Sequence, residues 1–198
     1  ADCNTLAGVV RGHSARKEIK KEQGLSINLY IGCRLIFADE TPDLVVYPRD
    51  RSAYGQLCQI LSVGKHRAKT KGECHLLFED FLFKADNFQI AVMPPENPDE
   101  SFTDFLKKLA FAAPDWVWLG LVMPRKGADR RHAEKLVRIA ADANIPFLAV
   151  NDVLYHTPAR RPLQDVLTCI REHVTIETAG RKLEKNAERH LKSPTDML

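Results

Sequence analysis

Asp152 is the first residue to weigh for chemistry. It follows the apolar run Phe147–Val150, which has the length of a strand, and the polar Asn151. An acid just past the carboxyl end of a core strand stands where α/β proteins place reactive groups. His156, Arg160 and Arg161 come next, and Pro162 then opens a helix. In that helix Leu163, Val166, Leu167 and Ile170 recur at i, i+3, i+4 and i+7, which predicts one buried stripe. Arg160 and Arg161 are placed either to cradle a phosphate or to pair with Asp165. A second candidate is the run GKHRAKTKG, where Lys65, Arg67, Lys69 and Lys71 flank His66. Such a run contacts phosphates with salt-dependent affinity, or it is a solvated loop. Neither patch has interleaved aromatic residues, so stacking on bases is not indicated. The other histidines lack ligand spacing, and no Ser-His-Asp or Cys-His-Asn order is supported locally.

These residues need a scaffold, and the chain is long enough to supply one. Its 198 residues, 44% hydrophobic and 28% charged, describe a globular protein with a sizeable core, or one domain and a tail. No apolar run approaches the ~20 residues that span a bilayer, so no membrane is expected. The first ten residues show no signal-peptide pattern. The chain starts without Met, as expected for a cut inside a longer protein. Five cysteines with no C-x-x-C pair fit reduced thiols in a cytoplasm. A net charge of +3 is too small to argue for nucleic acid by itself.

The elements follow from periodicity and caps. Leu6, Val9, Val10 and His13 predict the buried stripe of a first helix that stops at Gly24. Residues 27–37 read as a strand and residues 44–47 as another. Asp50 is placed to cap a helix with Ala53, Tyr54, Leu57 and Leu61 on one face. An apolar-acidic helical turn (residues 76–82) follows the basic run. Then strands at 88–93, 116–122 and 147–150 alternate with helices. The first of these carries Phe102, Phe105, Leu106 and Leu109; the second is capped by Asp129, with Ala133, Leu136, Val137 and Ala140 inward. That alternation predicts parallel strands with helices outside, and it does not separate an open sheet from a barrel. Trp116 and Trp118 share one face of their strand. Cys58 and Cys169 are expected as core thiols, and His156 as a surface histidine. Beyond Thr175 the polar tail, with a sparse Leu183, Ala187, Leu191 stripe, predicts a connecting helix.

Four long strings carry a resemblance: DCNTLAGVVR, DRSAYGQLCQILSVGKHRAKTKGEC, NDVLYH with RRPLQDVLTCIREH, and AGRKLEKNAERHLKSP. Across nearly its whole length the chain resembles the PHP (polymerase and histidinol phosphatase) domain of error-prone bacterial C-family DNA polymerases. These are damage-inducible relatives of the replicative polymerase III alpha subunit. The resemblance implies an α/β fold, a distorted seven-stranded β/α barrel, here without its first strand and followed by a linker helix. Residues 1–174 would be the PHP domain and residues 175–198 the connection toward the polymerase palm.

Active PHP domains hydrolyse phosphoesters with clustered Zn, Mn or Fe held by His, Asp and Glu. Of the motif positions, this chain matches only Asp2 and Asp152. Cys3 stands where the pattern has His, Arg34 where it has Glu, Arg125 or Lys126 near another His, and Leu154 at the closing His. The resemblance therefore implies a degenerate metal site, with Arg34 a candidate to replace the metal by pairing with Asp2 or Asp152. It implies a structural or interaction domain of a translesion polymerase. The Mg-binding carboxylates of that enzyme would lie downstream, and its partners would be DNA and other translesion proteins. The competing reading is a metal-dependent phosphoesterase or proofreading nuclease. An open strand edge predicts self-association of the isolated chain.

Overall fold

The computed structural model describes residues 1–125 and 127–197, in a mixed α/β arrangement. A six-stranded sheet runs in sequence order through β1 (Asp2–Cys3), β2 (Cys33–Leu35), β3 (Leu44–Pro48), β4 (Phe88–Val92), β5 (Val117–Val122) and β6 (Phe147–Val150). Between and after them lie α1 (Val9–Gln23), α2 (Arg51–Arg67), α3 (Phe78–Leu82), α4 (Glu100–Ala112), α5 (Asp129–Asp142), α6 (Arg161–Glu172), α7 (Ile176–Ala179) and α8 (Pro194–Met197). The described residues group into two compact units. One is Ala1–Gly120 with Ile139–Phe147; the other is Leu121–Arg138 with Leu148–Leu198, so the division crosses β5, α5 and β6.

In the first unit β4 and β5 are parallel, as strand-helix-strand spacing predicts, and so are β1 and β2. Pairs β2/β3 and β3/β4 are antiparallel. The eight residues between β2 and β3 contain no crossover helix, and a short connection joins antiparallel neighbours. Leu35, Leu44, Leu57, Ile60, Phe81, Phe88, Ile90, Leu106 and Leu109 are fully buried. Asp50 caps α2, its carboxylate accepting from Ala53 N–H at 2.7 Å. Asp99 does the same for α4 through Phe102 N–H at 3.1 Å. α4 buries Phe102, Leu106 and Leu109, and Phe105 is half-buried with its ring 5.0 Å from that of Phe78.

Several sequence expectations need correction. α1 buries no residue: Val10 is 73% exposed, and His13 is exposed rather than a core histidine. Its stripe is narrow and its second half is mostly charged, with Ile19 as the aliphatic exception, so little apolar area would be gained by turning it inward. The expected strand at 27–37 shrinks to Cys33–Leu35, because β1 offers only Asp2 and Cys3 as partners on that side. In α5, Ile139 is buried and Val137 is exposed. β6 lies where expected but is largely exposed, not a core strand.

In the second unit the expected inner face of α6 is reversed. Leu163, Val166, Leu167 and Ile170 are between 44% and 64% exposed, whereas Thr168 and Cys169 are buried. The cause is polar. Arg161 donates to Glu184 O at 2.6 Å and lies 3.6 Å from Asp165, while Glu172 pairs with Lys182 at 3.3 Å. These contacts turn the Arg161–Asp165–Cys169–Glu172 side toward the C-terminal segment. That segment is not the expected linker helix. It holds α7, a 3-10 turn at Gly180–Lys182 and an irregular run up to α8. Its backbone bonds to the loop after β6 instead: Leu154 N–H donates to Arg189 O at 2.8 Å and Leu191 N–H to Tyr155 O at 3.0 Å.

A close approach inside the first unit gives a test of the packing. A Cβ on Gly64 of α2 would lie 2.5 Å from Leu76 Cδ2 and 2.8 Å from Cys74 Sγ. Gly64→Ala should therefore lower Tm despite a helix-propensity gain of about 1 kcal/mol, because overpacking typically costs ~1–3 kcal/mol. Thermal unfolding followed by circular dichroism measures it; a raised Tm would show that the Leu76 side chain yields freely.

Candidate functional site

The basic run divides between two tasks. Lys65 and Arg67 sit on the last turn of α2, where positive charge complements the helix dipole. Lys69 and Lys71 follow in the turn beyond. Arg67 makes a bidentate pair with Asp80 of α3 at 2.7 and 2.9 Å and donates to His75 O at 2.6 Å. The Asp80 carboxylate also accepts from Leu77 N–H at 2.9 Å, closing the start of α3. Its hydrogen bonds to the Arg67 guanidinium hold Asp80 below its ordinary carboxylate value. Arg67 is thus engaged in fastening α2 to α3. Lys65, Lys69 and Lys71 line a cleft of about 830 Å³ together with Asn4, Thr5 and Cys74.

The β1–β2 end of the first unit holds the positions that the resemblance singled out. Asp2 Oδ2 accepts from Gly8 N–H at 2.8 Å, and a Cβ at residue 8 would lie 2.6 Å from that same oxygen, so glycine permits the approach. Arg34 pairs with Asp43 on the β2–β3 connection, Nε and Nη2 standing 2.8 and 2.7 Å from one carboxylate oxygen. The Cys33 thiol lies beneath, donating to Asp2 O at 3.3 Å, and burial pushes its pKa up to about 11. It is held as a neutral thiol, far from the thiolate that nucleophilic chemistry needs. Trp116 is half-buried just before β5, with the Arg49 guanidinium 3.7 Å from its ring centroid, a cation-π contact the sequence did not signal.

In the second unit Asp152 has a left-handed backbone, φ 43°, which Asp tolerates better than most residues. Its carboxylate is ion-paired with Arg189 Nη2, and Arg189 Nε donates to Asp152 O at 2.9 Å. Arg189 Nη1 reaches Glu184 at 2.6 Å. Asn151 donates to His190 O, and Asn186 to Pro124 O at 2.8 Å. Arg161 is engaged with Asp165 and Glu184 O, so of its two sequence readings the pairing is realised. Arg160 closes an exposed 3-10 turn, and His156 is exposed. Arg125 pairs with Glu188 at 3.3 Å; Lys126 lies outside the described residues. Cys169 is buried and Cys58 half-buried.

The donor set does not fit a Zn or Mn cluster. Asp2 caps a backbone amide and Asp152 holds a guanidinium. Among the described residues no group of three or more His, Cys, Asp or Glu is placed to hold a metal ion. Arg189 and Glu184 were not singled out from the sequence. Their signal, an acid five residues before an arginine in a polar tail, is too common to stand out.

The chain has counterparts over its whole length within larger enzymes. Over 198 residues, all of this chain, it is 61% identical to the error-prone DNA polymerase of Brucella abortus biovar 1 (strain 9-941). It is 49% identical over 203 residues to the error-prone DNA polymerase of Bradyrhizobium diazoefficiens, and 43% over 196 residues to that of Caulobacter vibrioides. The chain spans only 17–18% of the length of these relatives, so it is similar to one part of an error-prone DNA polymerase. No family model matches it. No helix among the described residues is long and apolar enough to cross a membrane.

The clasp between α2 and α3 has a defined pH signature. A carboxylate whose folded pKa is depressed adds stability above its unfolded value, and that stability is lost as pH falls through the folded value. Asp80→Asn should therefore lower Tm by several degrees at neutral pH. The gap to wild type should begin to close below the unfolded value of about 3.9. A gap independent of pH between neutrality and pH 2 would mean that Asp80 acts by shape alone.

Proposed function

We propose that this chain is a PHP-type support and interaction domain in the N-terminal part of an error-prone DNA-directed DNA polymerase that serves translesion synthesis, replication and repair. Its metal site is degenerate, and residues 175–198 lead from the domain at 1–174 toward the palm. Polymerisation belongs to carboxylates elsewhere in the longer protein, where Mg is the cofactor. Lys65, Lys69, Lys71 and Arg160 are the groups available to DNA phosphates, and the setting is the cytoplasm.

The observation that carries this reading is the outward apolar stripe of α6. Four large aliphatic side chains on one helix face stand in water, and isolated exposed residues are ordinary whereas a contiguous stripe marks an interaction surface. Similarity to one part of much longer polymerases supplies a partner, the rest of such a polypeptide.

Leu167→Glu with Ile170→Glu tests it. In the isolated chain the pair should shift stability by no more than roughly 0.5 kcal/mol each, as surface changes do. In the complete polymerase the same pair should reduce primer extension and thermal resistance. Equal loss in both settings would mean that the face belongs to this domain's own core, and no loss in either would remove its proposed role. Hydrolysis is the second readout. With millimolar Mn or Zn the isolated chain should release no nucleotide from a 3′ end. A chelator-sensitive activity abolished by Asp152→Asn would put the phosphoesterase in front. The same stripe and the open sheet support self-association of the isolated chain; a strictly monomeric species in light scattering at high concentration would count against that.

A further inference from the structure

Three oxygens converge on one guanidinium in the second unit. Arg189 Nη2 meets Asp152 Oδ2, Nε meets Asp152 O at 2.9 Å, and Nη1 meets Glu184 Oε1 at 2.6 Å. The three side chains are only 21–26% exposed. Two carboxylates and a backbone carbonyl are the oxygen set that a hard divalent cation takes. A guanidinium serves the same oxygens with directed N–H bonds and a charge that is not lost at any ordinary pH.

The backbone is arranged around this contact. Asp152 takes a left-handed conformation, and Arg189 O accepts from Leu154 N–H, so the guanidinium and its own peptide grip the same loop from two directions. Asn151 donates to His190 O next door.

We propose that Arg189 is a tethered cation that occupies the place of a divalent metal between Asp152 and Glu184. It closes that position to metal and fastens residues 184–191 to the loop after β6. The expectation of a metal near Asp152 rests on the PHP-type reading; the convergence of oxygens on Arg189 does not. Arg34, the candidate that sequence reasoning offered for such a role, is paired with Asp43.

Mn²⁺ is the probe, with the electron paramagnetic resonance signal of free Mn²⁺ as readout. The wild-type chain should leave that signal almost unchanged. Arg189→Ala should bind Mn²⁺ at least ~10-fold more tightly, and its lowered Tm should rise again with Mn²⁺ by mass action. Adding Asp152→Asn to Arg189→Ala should abolish both responses, and Arg189→Lys, which keeps the charge without the fork, should stay metal-blind. If Arg189→Ala is unfolded alone, recovery of its circular dichroism on adding Mn²⁺ supports the proposal and failure to recover overturns it. Binding no tighter than wild type in a folded Arg189→Ala, or binding that survives Asp152→Asn, also overturns it. Hydrolytic activity of the wild-type chain would strike the degenerate-site reading instead, so the two failures are separable.

Discussion

A guanidinium set between two carboxylates must give up much of its water, and the exchange is favourable only when protein oxygens replace that water in good geometry. Arg189 meets this condition with three oxygens, one of them a backbone carbonyl that does not titrate. The rest of the second unit follows from it. With the guanidinium fixed on Asp152, residues 184–191 must run beside the loop after β6, and the Leu154, Tyr155 and Leu191 backbone groups find their partners there. With that segment in place, Glu184 O is available to Arg161, and α6 is drawn in by its polar side. The apolar stripe of α6 faces outward because the inner positions are already taken by ion pairs.

The first unit is organised on the opposite principle. Its sheet is lined by aliphatic and aromatic residues without access to water, and the helices are started by carboxylates acting on amides rather than on cations. Among its charged contacts is the bidentate pair of Arg67 with Asp80, which joins the end of α2 to the start of α3. A partly exposed bidentate pair adds geometry more than energy. Its effect is to fix the end of α2, and with it the direction of the turn that carries Lys69 and Lys71.

What was legible in the sequence was local. Asp50 before a helix, Phe88–Val92 as a strand, α4 with Phe102, Leu106 and Leu109 inward, and Phe147–Val150 as an element can all be read from spacing and caps, because their causes lie within a few residues. Periodicity also placed Leu163, Val166, Leu167 and Ile170 on one face of α6, and they are on one face. It could not say which face is covered, since that depends on Glu184 and Lys182, a dozen or more residues downstream. The same limit explains Val10 and His13 on α1 and the short β2: a stripe or an alternation buries itself only when a partner is present. At the candidate site, Asp152 was found by its place after a strand, whereas Arg189 was invisible because a salt bridge across 37 residues has no local signature.

The resemblance and the geometry bear on different parts of the functional argument. Whole-length similarity to part of an error-prone DNA polymerase says in which larger protein such a domain occurs, and the geometry says what its residues are occupied with. Asp2 is committed to a backbone amide, Cys33 is a neutral buried thiol, Arg34 is bound to Asp43, and Asp152 holds Arg189. Asp2, Arg34 and Asp152, positions that the resemblance singled out, are thus each engaged by a neighbouring group of the chain itself. For a cation to take the Asp152 and Glu184 oxygens the guanidinium would have to leave, and the segment it anchors would lose its hold on the loop. Cation binding and the support of the C-terminal segment would thus draw on the same oxygens, and here the Arg189 guanidinium holds them.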